Sequence, residues 1–186
     1  MLWECFQKNL IELSYVLYRN SYFLVKKKEE NKYRFINNAV EINRVIIKNG
    51  NLSSAINEFS EKFSNYIIIS LIDFFSGYDQ IEFDEKSKDL ISFYTLIRFY
   101  RITILPQDAI NLITQFIRVI TKILQDHLSR CLSFIDDIGI KNPKIIYNNE
   151  KMTPGIRKYM LEHIQWLDGI LTDLKYADYT ISDTKS

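Results

Sequence analysis

The stretch LSFIDDIGI at residues 132–140 decides the fold of this chain. Two apolar runs enclose the adjacent acidic residues Asp136 and Asp137, a pattern that predicts two antiparallel strands joined by a tight turn. Two carboxylates at one turn repel each other, and a divalent cation that prefers oxygen ligands, such as Mg²⁺, would relieve that repulsion. The alternative is an ordinary solvated turn, because Asp is common in turns for its local hydrogen bonds.

A third carboxylate, Asp73, lies upstream in the run YIIISLIDFF at residues 66–75. This run is too continuously apolar for a half-exposed strand, so it predicts a buried one. A carboxylate there is costly unless it is hydrogen-bonded or bound to a metal, and the pattern leaves both open. On a strand beside the Asp136–Asp137 turn, Asp73 would complete a cluster for two metal ions about 3.5–4 Å apart, which catalyse in-line displacements.

The remaining patterns predict a mixture of strands and helices. Strand-like runs at 21–27 and 33–37 flank a polar loop and predict a hairpin with a charged tip. Further strands are predicted at 91–94 and 99–104, and helices at 53–64, at 107–128 and from the Thr153-Pro154 cap onward. Strands and helices without a regular βαβ rhythm indicate an α+β domain.

Composition excludes several classes of protein. With 186 residues, 47% hydrophobic and 25% charged, the chain is typical of one soluble globular domain. No apolar run is long enough to span a bilayer, and residues 1–10 do not resemble a secretory signal, so we expect an intracellular, unsecreted protein in the cytoplasm or nucleus, with an organelle as the alternative that the sequence leaves open. Cys5 and Cys131 are far apart and without CxxC pairing, which indicates free thiols in a reducing compartment.

The net charge of +1 is low for a protein that grips nucleic acid on its own. Phosphate neutralisation drives such binding and normally requires a clearly basic face. The composition therefore argues against a strong autonomous nucleic-acid binder.

Five stretches, in order along the chain, resemble motifs of gypsy-type reverse transcriptases. The family features are the fingers hairpin, the first catalytic motif LDLxSGYxQI, the motif LPQGAxN, the Y/F-x-D-D box and a later palm segment ending in lysine. The matching stretches are YRNSYFLVKKK with KYRFIN (18–28 and 32–37), SLIDFFSGYDQI (70–81), LPQDAIN (105–111), FIDDI (134–138) and ADYTISDTK (177–185).

This resemblance implies an α+β fold, the fingers and palm of a right-hand polymerase, incomplete and without a thumb. The chain would be a single reverse transcriptase domain fragment, fingers-like at about 19–64 and 84–106 and palm-like at about 65–83 and 107–186. The implied function is that of an RNA-directed DNA polymerase from a retrotransposon Pol polyprotein. Its partners would be an RNA or DNA template-primer and a dNTP, with no membrane, and the thumb, ribonuclease H and integrase domains would be absent from this chain.

The resemblance also assigns roles to individual residues. Asp73, Asp136 and Asp137 would be the catalytic ligands of two Mg²⁺ ions. The matches to nucleotide-binding residues are Lys27 and Arg34 for the triphosphate, Tyr78 under the sugar and Gln107 beside it, while Lys185 matches a possible proton donor to pyrophosphate. The alternatives are a solvated charged loop for the lysines of the hairpin, core packing for Tyr78 and a mobile terminal lysine for Lys185.

Three positions depart from the family pattern, because Arg98, Asp108 and Asp178 stand where the family has glycine. The family's Pro-x-Gly turn is Leu96-Ile97-Arg98 here. At 108 a side chain would crowd the nucleotide, and a like charge about 4 Å from a phosphate costs about 4 kcal/mol at an effective dielectric near 20. These changes indicate a degenerate copy of uncertain enzymatic activity, and the alternative is a non-catalytic remnant or binding module that retains the palm fold.

Residues 141–153 form a longer connection than the family has between the Asp-Asp box and the last helix. The sequence predicts a surface loop there, without a function.

Overall fold

The computed structural model describes residues 2–26, 33–49 and 56–182, with the side chains of 34 and 56–59 outside the described part. The helices are α1 (Leu2–Gln7), α2 (Val40–Val45), α3 (Ile56–Phe63), α4 (Glu85–Lys88), α5 (Leu112–Ile123) and α6 (Lys158–Tyr176). The strands are β1 (Ile11–Leu13), β2 (Tyr22–Lys26), β3 (Tyr33–Asn37), β4 (Ile69–Asp73), β5 (Phe93–Tyr94), β6 (Phe99–Ile102), β7 (Cys131–Phe134), β8 (Asp137–Lys141), β9 (Lys151–Thr153) and β10 (Ile156–Arg157). The predicted α+β class is confirmed.

The chain forms two compact units, one of residues 1–50 and 78–112 and the other of residues 51–77 and 113–186. In the first unit, β1, β6 and β5 form an antiparallel sheet, and β2 pairs with β3 as the predicted hairpin. Phe93 is fully buried at the centre of this unit, in ring contact with Tyr22 and Phe35. Burying large aromatic rings supplies much of the stabilising free energy of so small a core.

The second unit contains a three-stranded antiparallel sheet in the order β4-β8-β7. Most of its buried residues come from the sheet and from α5 and α6, and Ser70 of β4 shares a 2.8 Å hydrogen bond with the buried His163 of α6. The fully buried apolar side chains of this unit are Phe116, Ile120, Leu124, Ile138, Ile140, Ile170 and Leu174.

The prediction that β4 is buried on both faces is wrong. Ile69 and Leu71 are 44% and 56% exposed, whereas Ile72 is 3% exposed. Alternate residues of a strand point to opposite faces, so one face of β4 packs on the core and the other is open. An unbroken apolar run does not distinguish this arrangement from a strand covered on both sides.

Two helix starts also differ from the sequence prediction. The turn at 107–111 precedes α5, which begins at Leu112, because the side chain of Asn43 holds that turn by donating to the carbonyl of Asp108 and accepting from the amide of Ile110. Thr153 and Pro154 do not cap a helix. They lie in the hairpin of β9 and β10, whose turn contains Gly155 at φ +89°, and α6 begins at Lys158.

The end of α6 explains why residue 178 resembles a glycine position. The amide of Tyr179 donates to the carbonyl of Leu174 and that of Asp178 to Lys175, the hydrogen-bond pattern of a Schellman cap. Asp178 has φ 58°, a left-handed conformation in which a side chain is disfavoured.

We expect Asp178→Gly to raise the free energy of unfolding by about 1 kcal/mol, because glycine adopts the left-handed conformation without a steric cost. Thermal or denaturant unfolding measures the difference. Asp168→Gly is the matched control, since Asp168 is exposed inside α6. In a helix, glycine is about 0.3 kcal/mol less favourable than Asp, so the Asp168→Gly control should lower the free energy of unfolding slightly. A destabilised Asp178→Gly variant would contradict the expectation.

No helix in the described part of the chain is long and apolar enough to cross a bilayer.

Candidate active site

The sheet of the second unit places two of the three carboxylates opposite each other. β4 and β8 are antiparallel with Asp73 directly across from Asp137, at the last position of β4 and the first of β8. Directly opposed residues in an antiparallel pair have Cβ atoms about 4.5–5.5 Å apart. Neighbouring carboxylates at that separation repel each other unless a cation lies nearby.

Asp136 lies in the turn that joins β7 to β8. Phe134 pairs with Asp137, so the turn consists of Ile135 and Asp136 alone. Ile135 has φ 55°, which two-residue hairpin turns require at their first position and which normally selects glycine. A β-branched residue there is strained, and the pairing of β7 with β8 holds it. The turn leaves Asp136 exposed next to Asp137.

The backbone of Asp73 is also held from its other side. The amide of Ser182 donates to the carbonyl of Asp73 at 2.8 Å, and Phe74 forms a bridge with Ile181. No pattern in the sequence predicts this contribution of residues 180–182. The only local signal is the β-favouring Tyr-Thr-Ile run, which is too short to predict a pairing by itself.

Gly77 follows β4 at a point of close packing. A Cβ atom on Gly77 would lie 2.9 Å from Cβ of Phe74 and 3.1 Å from the ring of Phe116. The absence of a side chain therefore lets the segment after Asp73 pack directly on these two rings, which contact each other edge to face.

The chemistry of the donor set fits a hard divalent cation, because Asp73, Asp136 and Asp137 offer only carboxylate oxygens. The register brings Asp73 and Asp137 together, and the turn adds Asp136 beside them. As placed, the described residues contain no group of three or more His, Cys, Asp or Glu side chains close enough together to hold a metal ion.

Of the residues predicted to contact a nucleotide, Tyr78, Gln107 and the backbone of Arg34 are described, and all three belong to the first unit. Gln107 is exposed, and its side-chain amide donates to Asp79 at 3.3 Å. Tyr78 is half-buried. Arg34 lies on β3 opposite Val25, but its side chain is outside the described part, and Lys27 and Lys185 are outside the described residues.

Asp108 lies in the turn that Asn43 holds. Partial burial raises the pKa of its carboxyl above the ordinary value for Asp. Residue 108 is not among those with positive φ, so the backbone itself does not require glycine at this position.

Comparison with known proteins places this geometry in a family. The family model described as reverse transcriptase (RNA-dependent DNA polymerase) matches residues 25–186. The Retrovirus-related Pol polyproteins from transposons 412 and 297 of Drosophila melanogaster are 26% and 29% identical over 82% and 74% of the chain. The chain spans 13% of the length of each of these relatives.

Solved structures share the fold. Prototype foamy virus protease-reverse transcriptase has a TM-score of 0.78 and 16% identity, covering 97% of this chain and 22% of that one. A foamy viral protease-reverse transcriptase in complex with double-stranded DNA has a TM-score of 0.78 and 17% identity, covering 100% of this chain and 35% of that one. The chain therefore belongs to the reverse transcriptase (RNA-dependent DNA polymerase) family and corresponds to part of the reverse transcriptase domain of retrotransposon Pol polyproteins.

Proposed function

We propose that this chain supplies the catalytic carboxylates of an RNA-directed DNA polymerase from a gypsy-type retrotransposon, acting as part of a longer Pol polyprotein. The register that sets Asp73 opposite Asp137 is the observation that carries the proposal. The reverse transcriptase family implies the use of divalent metal ions in general. These two carboxylates and Asp136 would supply the oxygen ligands, although as placed the three side chains are not close enough together to hold an ion.

In this proposal Asp73, Asp136 and Asp137 hold two Mg²⁺ ions. When bound, the ions supply activation of the primer hydroxyl and neutralisation of charge on the leaving pyrophosphate. The contribution of the chain is to fix the carboxylates. β4 and β8 set two of them on paired strands, Ser182 holds the backbone of Asp73, and the strained turn fixes the position of Asp136.

The nucleotide-binding roles belong to the same proposal. Lys27 and Arg34 would contact the triphosphate of a dNTP, since a point charge and a forked donor both suit phosphate. Tyr78 and Gln107 would contact the sugar, and Lys185 would donate a proton to pyrophosphate. We also propose the fingers-like and palm-like assignment given above, an RNA or DNA template-primer as partner, and an intracellular location in keeping with the free thiols Cys5 and Cys131.

Primer extension tests the proposal. The assay contains template-primer, labelled dNTP and Mg²⁺, and it compares the unmodified chain with Asp136→Asn, which keeps the shape of the side chain and removes its charge. We expect extension by the unmodified chain and background signal from the variant. Asp126→Asn is the control, an exposed Asp of the same unit outside the carboxylate pair, and its activity should be unchanged. Equal extension by Asp136→Asn would refute the assigned role of the carboxylates.

A second candidate is a non-catalytic remnant that retains the palm fold. The observation that favours it is the carboxylate of Asp108 at a position where the family has glycine. A chain that unfolds cooperatively, but extends primers no better than its Asp136→Asn variant, would support this candidate over the polymerase.

A further inference from the structure

Residues 141–158, here named the basic segment, concentrate positive charge. They contain five basic residues and one acidic residue, whereas the net charge of the whole chain is +1. The remainder of the chain is therefore slightly acidic, and the segment is a local concentration of positive charge, as is the stretch at 26–34. The carboxylate site and the nucleotide-binding residues proposed above make no use of it.

The segment begins with two lysines held against one aromatic ring. The Nζ atoms of Lys141 and Lys144 lie 5.5 and 5.3 Å from the ring centroid of Tyr66. Cation–π attraction positions both ammonium groups, but two like charges beside one ring also repel each other. An anion that bridges them would remove this repulsion, in the same way that a cation relieves a pair of carboxylates.

The middle of the segment is a rigid turn of unusual conformation. Tyr147, Asn148 and Asn149 all have positive φ, between 50° and 62°. Left-handed residues normally occur singly, so three in succession are strained and require external support. The Tyr147 hydroxyl donates to Glu162 of α6, and Arg157 donates to Asn149, which together anchor the turn to the start of that helix.

Some of the basic residues hold the segment together, and others remain available. Arg157 bonds Asn149, and Lys158 pairs with Glu150 at 3.3 Å. Lys144 and Lys151 are exposed and form no ion pair with another residue that the structure describes. The turn thus separates two available ammonium groups on a supported backbone, a preorganised arrangement that loses less entropy on binding than a flexible tail would.

The basic segment is distinct from the carboxylate pair. β8 runs from Asp137 to Lys141, so the segment starts at the opposite end of that strand, about 13 Å from Asp137 at the rise of an extended strand. A ligand of the segment therefore contacts a different part of the second unit from the proposed metal ions.

We propose that the basic segment binds the sugar-phosphate backbone of a nucleic acid strand, with Lys144 and Lys151 as the principal phosphate contacts. Lysine is a point charge that neutralises phosphate without reading sequence, so binding is independent of base sequence and sensitive to salt. A nucleic acid is favoured over an acidic protein because Lys144 precedes the turn and Lys151 follows it, so the two charges are separated along the segment. A strand that carries a phosphate at every nucleotide can meet both charges, whereas an acidic protein would need carboxylates placed to match them. Binding of a nucleic acid at this surface does not require catalysis by the carboxylates.

Fluorescence anisotropy with a fluorescein-labelled 20-nucleotide single-stranded DNA, in buffer with EDTA, tests the inference. We expect Lys144→Gln/Lys151→Gln to weaken binding about tenfold and to reduce the slope of log K against log salt by about 1.4, since each single-strand phosphate contact contributes about 0.7. The matched control is Lys86→Gln/Lys122→Gln, which removes the same charge from exposed lysines of α4 and α5. Its affinity should change less than twofold. The single variant Lys151→Gln provides a second measurement if the double variant melts at a lower temperature.

Equal losses of affinity in both double variants would overturn the inference, because net charge alone would then account for binding. Tighter binding of poly-glutamate than of DNA, lost in Lys144→Gln/Lys151→Gln, would overturn it in favour of an acidic protein partner. Primer extension is measured separately. If the chain extends primers but its DNA affinity is unchanged in Lys144→Gln/Lys151→Gln, this inference is refuted and the proposed polymerase function is not affected.

Discussion

Asp108→Gly is expected to raise nucleotide incorporation by about two to three orders of magnitude. In the proposed function, residue 108 would lie beside the incoming nucleotide, where a like charge about 4 Å from a phosphate costs about 4 kcal/mol at an effective dielectric near 20. Removing that cost corresponds to a several hundred- to thousandfold change in rate or affinity at about 1.4 kcal/mol for each factor of ten. This expectation rests on the proposed polymerase function.

The turn around Asp108 makes the substitution a clean test of the side chain. Its backbone is not in the left-handed region, and Asn43 bonds the carbonyl of residue 108 and the amide of Ile110. Glycine therefore leaves these backbone contacts available. Partial burial raises the pKa of Asp108. Its carboxyl therefore loses its charge, and with it the repulsion of a phosphate, at a higher pH than an ordinary Asp would.

Single-nucleotide incorporation over a range of dNTP concentrations measures the effect. Asp108→Asn separates charge from crowding, because it removes the negative charge and keeps the volume of the side chain. Asp126→Gly controls for general effects of replacing an exposed Asp by glycine in the chain. No gain from Asp108→Gly in incorporation or in dNTP affinity would show that residue 108 is not what limits the activity.

Gly77→Ala is expected to lower the free energy of unfolding by about 3 kcal/mol, the upper part of the range for overpacking a well-packed core. The added Cβ would lie 2.9 Å from Cβ of Phe74, an atom that the backbone of the chain fixes. Phe116, 3.1 Å away, is fully buried, so its ring cannot move away from the added Cβ without displacing other core side chains. The φ angle of Gly77 is not positive, so the cost arises from packing rather than from backbone strain.

Chemical denaturation of Gly77→Ala and Gly169→Ala measures this difference. Gly169 lies in α6, and a Cβ there would meet only the ring of His127 at 3.2 Å, while alanine gains about 1 kcal/mol of helix propensity. The Gly169→Ala variant should therefore remain close to the unmodified chain. Equal stability of the two variants would contradict the steric argument. Because Gly77 closely follows Asp73, Gly77→Ala should also reduce any primer extension.

Secondary structure was predicted best where a local sequence pattern is compatible with only one kind of element. Two apolar runs around Asp136 and Asp137 predicted the hairpin of β7 and β8, which is confirmed, although its turn is formed by Ile135 and Asp136 and Asp137 is already the first residue of β8. Thr153 and Pro154 show the opposite case, because a hydroxyl residue before proline suits a helix cap, whereas proline before glycine suits a turn. Pairing of β9 with β10 decides between them, and local sequence does not encode that choice.

The placement of Asp73 beside the hairpin could be predicted from the sequence, and the contacts that support it could not. Placing Asp73 on a strand beside the hairpin required only the apolar run that contains it, but its register with Asp137 depends on the packing of the whole sheet. The hydrogen bond from Ser182 joins residues more than a hundred positions apart, and no local pattern signals it. The roles of all the proposed site residues stay predictions: Asp73, Asp136, Asp137, Tyr78, Gln107, Lys27, Arg34 and Lys185.

The two-residue turn between β7 and β8 has a consequence for how such a gene can decay. Because only Ile135 and Asp136 join β7 to β8, the turn cannot accommodate a shift in the register of these two strands. Point substitutions elsewhere leave the opposition of Asp73 and Asp137 unchanged, so a lineage can lose glycines and retain its carboxylates for a long time. A single-codon insertion or deletion within β4 or β8 moves every following side chain to the other face of the sheet. Among copies of such a gene that accumulate mutations, we therefore expect the number of residues in β4 and β8 to be preserved longer than their amino-acid composition.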